Sequence, residues 1–327
     1  MKHVSLIILT FNSEKYIKAG FLDDYIKALR RLKKSCYKIS FVILDNNSSD
    51  STIFLINKKY PFVDLIYSFY NLGYCKGVNV ALQYAFFKYQ SNFFIISDDD
   101  AKPREDCFVR LIKFMETHPE AAFVQPLVRG WPDLDRIYSA GHEYISDGRC
   151  LATRNYDSSK SYIEIPSGSI LCSVIRSKAL KRIGLLDERF YMYYESSDLG
   201  FRFRRAGFKN YCLFSAVAYH ERTLDRNTPI QQFFINRNRI LFWYKHDKKL
   251  FGDILEQVKQ EIKDFEEKHA QNNYVLIDDL DTFVKYLANK DALKLIKIFR
   301  YNKYKEPRLK DYGKFNQLVF YEKRKFL

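Results

Sequence analysis

Residues 93–100 read FFIISDDD, an apolar run that closes on three consecutive carboxylates, Asp98-Asp99-Asp100. Large apolar side chains without polar alternation read as a strand of a helix-covered sheet. Three adjacent carboxylates repel one another, so a divalent cation is a good reason to concentrate them at a strand end. A solvated acidic turn has the same spacing, and the surrounding sequence decides between the two readings.

Upstream, residues 4–9 form another continuous apolar run, which reads as a strand buried on both faces and ends at Thr10-Phe11-Asn12-Ser13. Tyr16, Ile17, Phe21, Leu22, Tyr25, Ile26 and Leu29 then recur at helical spacing. Residues 39–44 give a second buried strand, closed by the turn-and-cap cluster Asp45-Asn46-Asn47-Ser48-Ser49-Asp50. A third strand over 62–67 leads into Asn71-Leu72-Gly73-Tyr74-Cys75-Lys76-Gly77 and a helix over about 78–89. This alternation predicts an α/β fold on a parallel sheet, with ligands at the carboxyl ends of the strands. Every polar cluster named so far falls at that edge.

Downstream the pattern loosens. A helix over 104–117 is followed by short β-like pieces near 122–125, 138–145 and 162–165. A strand over 170–175 and short helices over 178–183 and 198–205 come next, the last ending at Ala206-Gly207. The second half of the sheet is therefore expected to be mixed. From about residue 224 only helical patterns remain, with Ile254, Leu255, Val258, Ile262 and Phe265 marking one helix and Leu276, Leu280, Phe283 and Leu287 another. The expected division is a catalytic domain over 1–225 and a helical, basic extension over 226–327.

The whole chain has 327 residues, 47% hydrophobic and 28% charged, enough for a full core and incompatible with a disordered or fibrous protein. Its net charge of +15 calls for an acidic partner: nucleic acid, an anionic membrane surface or a phosphorylated substrate. Residues 291–327 alone hold eleven Lys or Arg against four Asp or Glu. Six cysteines are scattered with no CxxC pair, which reads as free thiols in a reducing compartment. The first apolar stretch is too short for a signal-peptide core, and no run approaches the ~20 apolar residues that span a bilayer. A cytoplasmic protein with at most peripheral membrane contact is expected.

Each cluster has a bland reading beside its chemical one. Asp98 and Asp100 can converge on one cation where the strand frays into a loop, with phosphate oxygens and water completing an Mg²⁺ or Mn²⁺ octahedron. Gly73 and Gly77 flank Lys76 ahead of a helix, which suits an anion or a plain loop. Glu195 and Asp198 stand three apart at a helix start, where acidic residues also serve as ordinary caps. His220 is a lone histidine, a type more often structural than ligating.

Taken together and in order, these clusters resemble the family 2 glycosyltransferases with the GT-A fold. The motifs are Thr10-Phe11-Asn12, the 45–50 cluster, the 71–79 glycine loop, the Asp triad, Tyr194-Glu195-Ser196-Ser197-Asp198-Leu199 and His220. The similarity spans roughly residues 2–239. Within the family, Asn71-Leu72-Gly73-Tyr74, Gly184-Leu185-Leu186-Asp187-Glu188-Arg189-Phe190 and Arg237-Asn238-Arg239 look like bacterial rhamnosyl- and galactofuranosyl-transferases.

The resemblance implies inverting, divalent-metal-dependent transfer of a hexose from a UDP- or dTDP-linked sugar. The implied acceptor is a cell-surface polysaccharide or polyprenyl-diphosphate-linked glycan at the inner face of the membrane. It implies nucleobase contacts for Thr10 and Asp45, and places Lys76 near the nucleobase or diphosphate. Phe11, Asn12, Asn47, Gly73, Asn79 and Asp99 join that nucleotide-sugar site. Asp98 touches ribose and metal, Asp100 and His220 hold the Mn²⁺ or Mg²⁺, and Ser167-Gly168 with Glu195 face the acceptor. One departure stands out: Ser196 occupies the position where many members carry a second acid, usually the base. Glu195 is the nearest substitute and Asp198 the next. Two competing readings are a nucleotide-sugar-binding homologue without catalysis, motivated by Ser196, and a basic nucleic-acid-binding protein, which no motif supports.

Overall fold

Val4, Leu6 and Ile8 enter one apolar layer and Ile7 enters the other, so the first strand is buried on both faces as its unbroken apolar pattern demands. The computed structural model describes residues 1–221, 228–269, 280–301, 305–310 and 318–321. Its strands are β1 (His3–Thr10), β2 (Lys38–Asp45), β3 (Asp64–Ser68), β4 (Phe93–Asp98), β5 (Ala101–Pro103), β6 (Ala121–Trp131), β7 (Ile137–Ser139), β8 (His142–Tyr144), β9 (Cys150–Ala152), β10 (Tyr162–Glu164), β11 (Ser173–Arg176), β12 (Lys209–Glu221) and β13 (Leu318–Tyr321).

The main sheet runs β10-β12-β6-β11-β4-β1-β2-β3-β13, with β5 on β12 and β7 on β6, while β8 and β9 form a separate hairpin. β1 pairs in parallel with both β2 and β4, and β2 with β3. β11 is antiparallel to both β4 and β6, which confirms the expected mixed second half.

Helices α1 (Glu14–Lys18), α2 (Phe21–Lys33), α3 (Thr52–Lys59), α4 (Gly73–Tyr89), α5 (Cys107–Thr117) and α6 (Ser177–Ile183) cover the sheet. In α2, Phe21, Leu22, Tyr25, Ile26, Leu29 and Leu32 recur at three and four and are all buried. All but Phe21 share one layer with Leu6, Ile8, Phe41 and Ile43. α4 is apolar nearly all round and is buried accordingly.

α4 starts at Gly73, five residues before the sequence pattern suggests. The Leu72 N–H donates to Asn46 Oδ1 at 2.7 Å and the Gly73 N–H to Asn71 Oδ1 at 2.8 Å, so side chains cap donors that the helix leaves open. The glycine loop is thus the first turn of a helix.

α7 (Glu195–Arg205), α8 (Pro229–His246), α9 (Lys248–His269) and α10 (Leu280–Tyr301) complete the helices. α7 begins at Glu195 rather than at 198, and the strand expected over 170–175 begins at Ser173. Ile240, Phe242, Trp243, Ile254, Val258 and Ile296 join the apolar cluster that holds Ile7 and Leu44, so the helical extension and the sheet share one core. The expected boundary near 225 and Leu276 lie outside the described residues, as do 302–304, 311–317 and 322–327 of the basic tail.

One piece of that tail docks beside the end of α6 and another returns to the sheet. The Leu185 N–H donates to Pro307 O at 2.8 Å, and Leu309 is buried. β13 adds antiparallel to β3, where the sequence shows no strand pattern. Four residues are too few to display a period, and the strand is set by the unpaired edge it covers. No helix among the described residues is long and apolar enough to cross a membrane.

Ile7, central in the sheet and fully buried, tests this packing. Ile7→Ala is expected to cost about 2–5 kcal/mol, read as a lower urea midpoint with an unchanged slope.

Candidate active site

The parallel register brings the polar clusters together. Thr10 stands beside Asp45 and Leu9 beside Asp98, so the ends of β2, β1 and β4 form one edge. A cleft of about 560 Å³ opens there, walled by Thr10, Phe11, the Asp triad, Gly73, Tyr74 and residues 193–197. It meets the description of a ligand site at the carboxyl ends of a parallel sheet.

The triad is anchored from beneath. The Tyr25 hydroxyl, fully buried, donates to Asp98 O at 2.9 Å and lies 2.6 Å from Ser97 Oγ. Asp98 takes a hydrogen bond from the Tyr74 phenol, and Asp99 takes one from the Ser13 hydroxyl. Asp100 Oδ1 is 3.2 Å from His220 Nε2, because β5 pairs Ala101 with His220 on β12. Tyr138 packs its ring against His220, with centroids 4.6 Å apart. Burial, reinforced by the neighbouring Asp100 charge, pushes both Asp98 and Asp99 upward.

Among the described residues, no group of three His, Cys, Asp or Glu forms a ready cage for a metal. Asp98 Oδ1 is nevertheless buried with no hydrogen-bond partner among them, beside the Asp100–His220 pair. Hard oxygen donors plus one imidazole fit a cation that draws its other ligands from phosphate and water, the usual habit of Mg²⁺.

Glu195 opens α7 at the end of a strained segment. Tyr191, Tyr193 and Tyr194 all have φ between 65° and 67°, a left-handed conformation that costs a bulky residue about 1–3 kcal/mol. α8 holds it. Asn238 Nδ2 donates to the carbonyls of Phe190, Met192 and Tyr193 at 2.9, 2.7 and 2.9 Å. Arg237 Nη2 donates to those of Arg189 and Phe190, both at 2.8 Å. At about 1 kcal/mol net per hydrogen bond, the five together are of the same order as the strain.

The carboxylate that results is itself unusual. Burial raises Glu195 to about 7 against the pull of its own and Ser196 backbone N–H groups, and Oε2 is buried without a hydrogen-bond partner among the described residues. Ser196 lines the cleft next to it.

Asp198 is not available as the second candidate base. It is fully buried behind the cleft wall, 2.7 Å from Arg202 Nε and Lys245 Nζ and 2.8 Å from His246 Nε2. Despite burial, the Arg202 and Lys245 charges hold it well below the usual carboxylate range. Lys245 also pairs with Asp187 at 2.8 Å and Glu306 at 2.7 Å. Asp198 therefore locks α7 to α8, and Lys245 ties that pair to the C-terminal segment.

Several other sequence candidates support the cleft from outside it. Asp45 is buried and accepts from Thr10 Oγ1 at 3.0 Å and from the Ser48 N–H at 2.9 Å. Asn12 and Asn47, both with positive φ, shape the loops above, where Asn12 Oδ1 takes the Ser49 N–H at 2.9 Å. Asn79 is buried and bridges α4 to Leu186, donating to its carbonyl at 2.9 Å and accepting its N–H at 3.0 Å. Lys76 is half-buried with its Nζ 5.9 Å from the Tyr70 ring centroid. Ser167 and Gly168 sit one layer behind the cleft, with Ser167 fully buried.

Conversely, Asn46, Tyr74, His142 and Gln231 line the cleft without having been named as site residues. Asn46 and Tyr74 carried a signal, their places inside the 45–50 cluster and the 71–79 glycine loop. Asn238→Ala, which removes the amide group that serves three carbonyls of the strained segment, should lower stability by about 1–3 kcal/mol in a urea titration. An unchanged midpoint would show that the segment holds itself.

Comparison with known proteins agrees with this fold. A family model described as Glycosyl transferase family 2 matches residues 5–184. An N-acetylglucosaminyl-diphospho-decaprenol L-rhamnosyltransferase of Mycobacterium tuberculosis is 25% identical over 209 residues, which cover 56% of this chain and 67% of that protein. The structure of S. aureus TarS 1-349 in complex with UDP-GlcNAc superposes with a TM-score of 0.53 at 16% identity, covering 90% of this chain and 81% of that one. GalNAc-T7 with UDP, GalNAc and Mn²⁺ gives 0.58 at 11% identity, covering 93% and 58%. The two structures share the fold, and the family match extends over more than half of the sequence: the chain belongs to glycosyl transferase family 2 and is a glycosyltransferase.

Proposed function

We propose that this protein transfers a hexose from a nucleoside-diphosphate sugar to a glycan acceptor, with inversion at the anomeric carbon and with the help of Mn²⁺ or Mg²⁺. The observation that carries the proposal is one cleft containing, in order, Thr10 and Phe11, the Asp triad, and Glu195. In this reading the nucleobase packs at Phe11, which is half exposed at the mouth, and Thr10 and Asp45 shape that end. Asp98 and Asp99 face the ribose and diphosphate, with Lys76, Gly73 and Asn79 ordering the α4 turn beside them. Asp100 and His220 would hold the cation, with Asp98 beside them. When bound, such a cation supplies positive charge next to the diphosphate as negative charge develops on it.

Glu195 is the base. Inversion needs a single displacement, in which the acceptor oxygen forms its bond to the anomeric carbon as the diphosphate departs with the old bonding pair. The acceptor proton passes to a carboxylate on the opposite face of the sugar. A partly desolvated carboxylate near 7 suits that task better than one at an ordinary pKa. The acceptor side, with Ser167 and Gly168 behind it, is proposed to take a polysaccharide or lipid-linked glycan. The decaprenol-diphosphate in the mycobacterial relative's name favours a lipid carrier. The charge of +15 favours work against an anionic membrane on its cytoplasmic face.

A second reading has one observation behind it: Ser196 lines the cleft where an acid is usual in the family, which would suit a homologue that binds donor without turning it over. The two separate cleanly. Glu195→Gln should reduce transfer by about 10²–10⁴-fold while Ser196→Ala changes little, and turnover indifferent to both would remove Glu195 as the base. Because the active form is deprotonated, kcat/KM of the wild type should be lost as pH falls through about 7 and level off above it. Asp100→Ala should abolish the Mn²⁺-dependent part of donor binding in calorimetry, and unchanged binding would sink the cation site.

A further inference from the structure

Beyond the triad the cleft changes character. β4 ends at the Asp triad, and its neighbour β11 is preceded by Ser169 and Ile170 in the cleft wall, with His142, Cys150 and Ser197 beside them. This stretch of wall carries hydroxyls, a thiol and an imidazole, where the triad carries carboxylates. Burial keeps both the imidazole and the thiol uncharged, lowering His142 to about 4 and raising Cys150 to about 11.

His142 is held in place from behind. Its backbone N–H donates to Ser167 O at 2.9 Å, and its Nδ1 lies 3.1 Å from Ser167 Oγ. Ser167 Oγ is also 2.5 Å from the Tyr144 hydroxyl. The phenol being the more acidic hydroxyl, we assign Tyr144 as donor to Ser167 and Ser167 as donor to Nδ1, which leaves the imidazole proton on Nε2. Nε2 has no hydrogen-bond partner among the described residues. Ser167 is also braced against the helix that presents Glu195: a Cβ placed on Gly200 of α7 would lie 2.5 Å from the Ser167 Cβ. The imidazole and the carboxylate are thus referenced to the same buried serine.

We propose that His142 is a specificity-determining residue for the donor, its Nε2–H donating to a hydroxyl or acetamido oxygen of the hexose that lies beyond the diphosphate. This rests on the nucleotide-sugar reading of the cleft. A neutral, oriented donor suits an uncharged, oxygen-rich ring, and the triad already accounts for the charged part of the ligand. A site built to donate to a substrate oxygen discriminates, because a sugar lacking that oxygen leaves the half-buried donor covered and unpaired.

The test compares a nucleotide sugar with its own nucleoside diphosphate, both titrated calorimetrically with Mn²⁺ into the full chain. UDP-GlcNAc with UDP and dTDP-rhamnose with dTDP are the first pairs, the tighter-binding pair being carried forward. His142→Ala should weaken the sugar nucleotide about tenfold and leave the nucleoside diphosphate unchanged. His142→Gln, whose amide offers an N–H at similar reach, should restore part of the loss.

Equal weakening of both ligands would mark His142 as merely structural and overturn the proposal. Unchanged donor binding, even with weakened transfer to a glycan, would move His142 to the acceptor and overturn it as well. If the wild type binds neither pair, the nucleotide-sugar reading itself fails, a result distinct from any effect of the variants.

Discussion

Burial of several carboxylates around the end of one strand is the constraint on which this structure turns. Asp98, Asp99 and Glu195 are all pushed upward by burial, and the triad members reinforce one another. The fold answers with small, specific supports in place of a full set of counter-charges: Tyr74 for Asp98, Ser13 for Asp99, His220 for Asp100 and the first turn of α7 for Glu195. Those supports leave oxygen atoms facing inward with capacity to spare. A site of this kind is destabilising by itself and is rewarded only when a ligand completes it.

α7 shows how environment divides labour between like groups. Glu195 and Asp198 are three residues apart on one helix, yet one lies near 7 and the other far below the ordinary range. Glu195 has backbone N–H groups and no fixed cation beside it among the described residues, while Asp198 has Arg202, Lys245 and His246. The same chemistry therefore serves as a reactive group in one place and as a rivet in the other. For stability the signs are opposite. The contribution of Asp198 is present above its unfolded pKa and is lost as pH falls. Glu195 costs stability as pH rises from its unfolded value towards about 7.

Much of the catalytic half was legible because consecutive residues carried their own context. The apolar run before the triad fixed both the strand and the end at which its carboxylates emerge, and the 4–9 and 39–44 runs did the same for their neighbours. Readings that depended on distant partners did not come through. Gly73 starts a helix because Asn46, in a different loop, caps it. Asp198 looks like a candidate base until Lys245 and His246 arrive from α8. His142 lies in the β-like 138–145 stretch, which places its backbone on a strand but not its side chain, whose orientation is set by Ser167 and Tyr144. The Arg237-Asn238-Arg239 motif was visible as a family likeness, but its task of holding three left-handed tyrosines was not.

The central claim is that this cleft binds a nucleoside-diphosphate sugar together with a divalent cation. Thermal unfolding of the full chain against a panel of UDP- and dTDP-sugars, with and without Mn²⁺, tests it most directly. Ligand at about a hundred times its dissociation constant adds roughly 2.7 kcal/mol, enough to raise Tm by several degrees. The account predicts such a rise for one nucleobase and sugar combination when Mn²⁺ is present, and a much smaller one in EDTA. No stabilisation by any member of the panel, with the metal or without it, would contradict it.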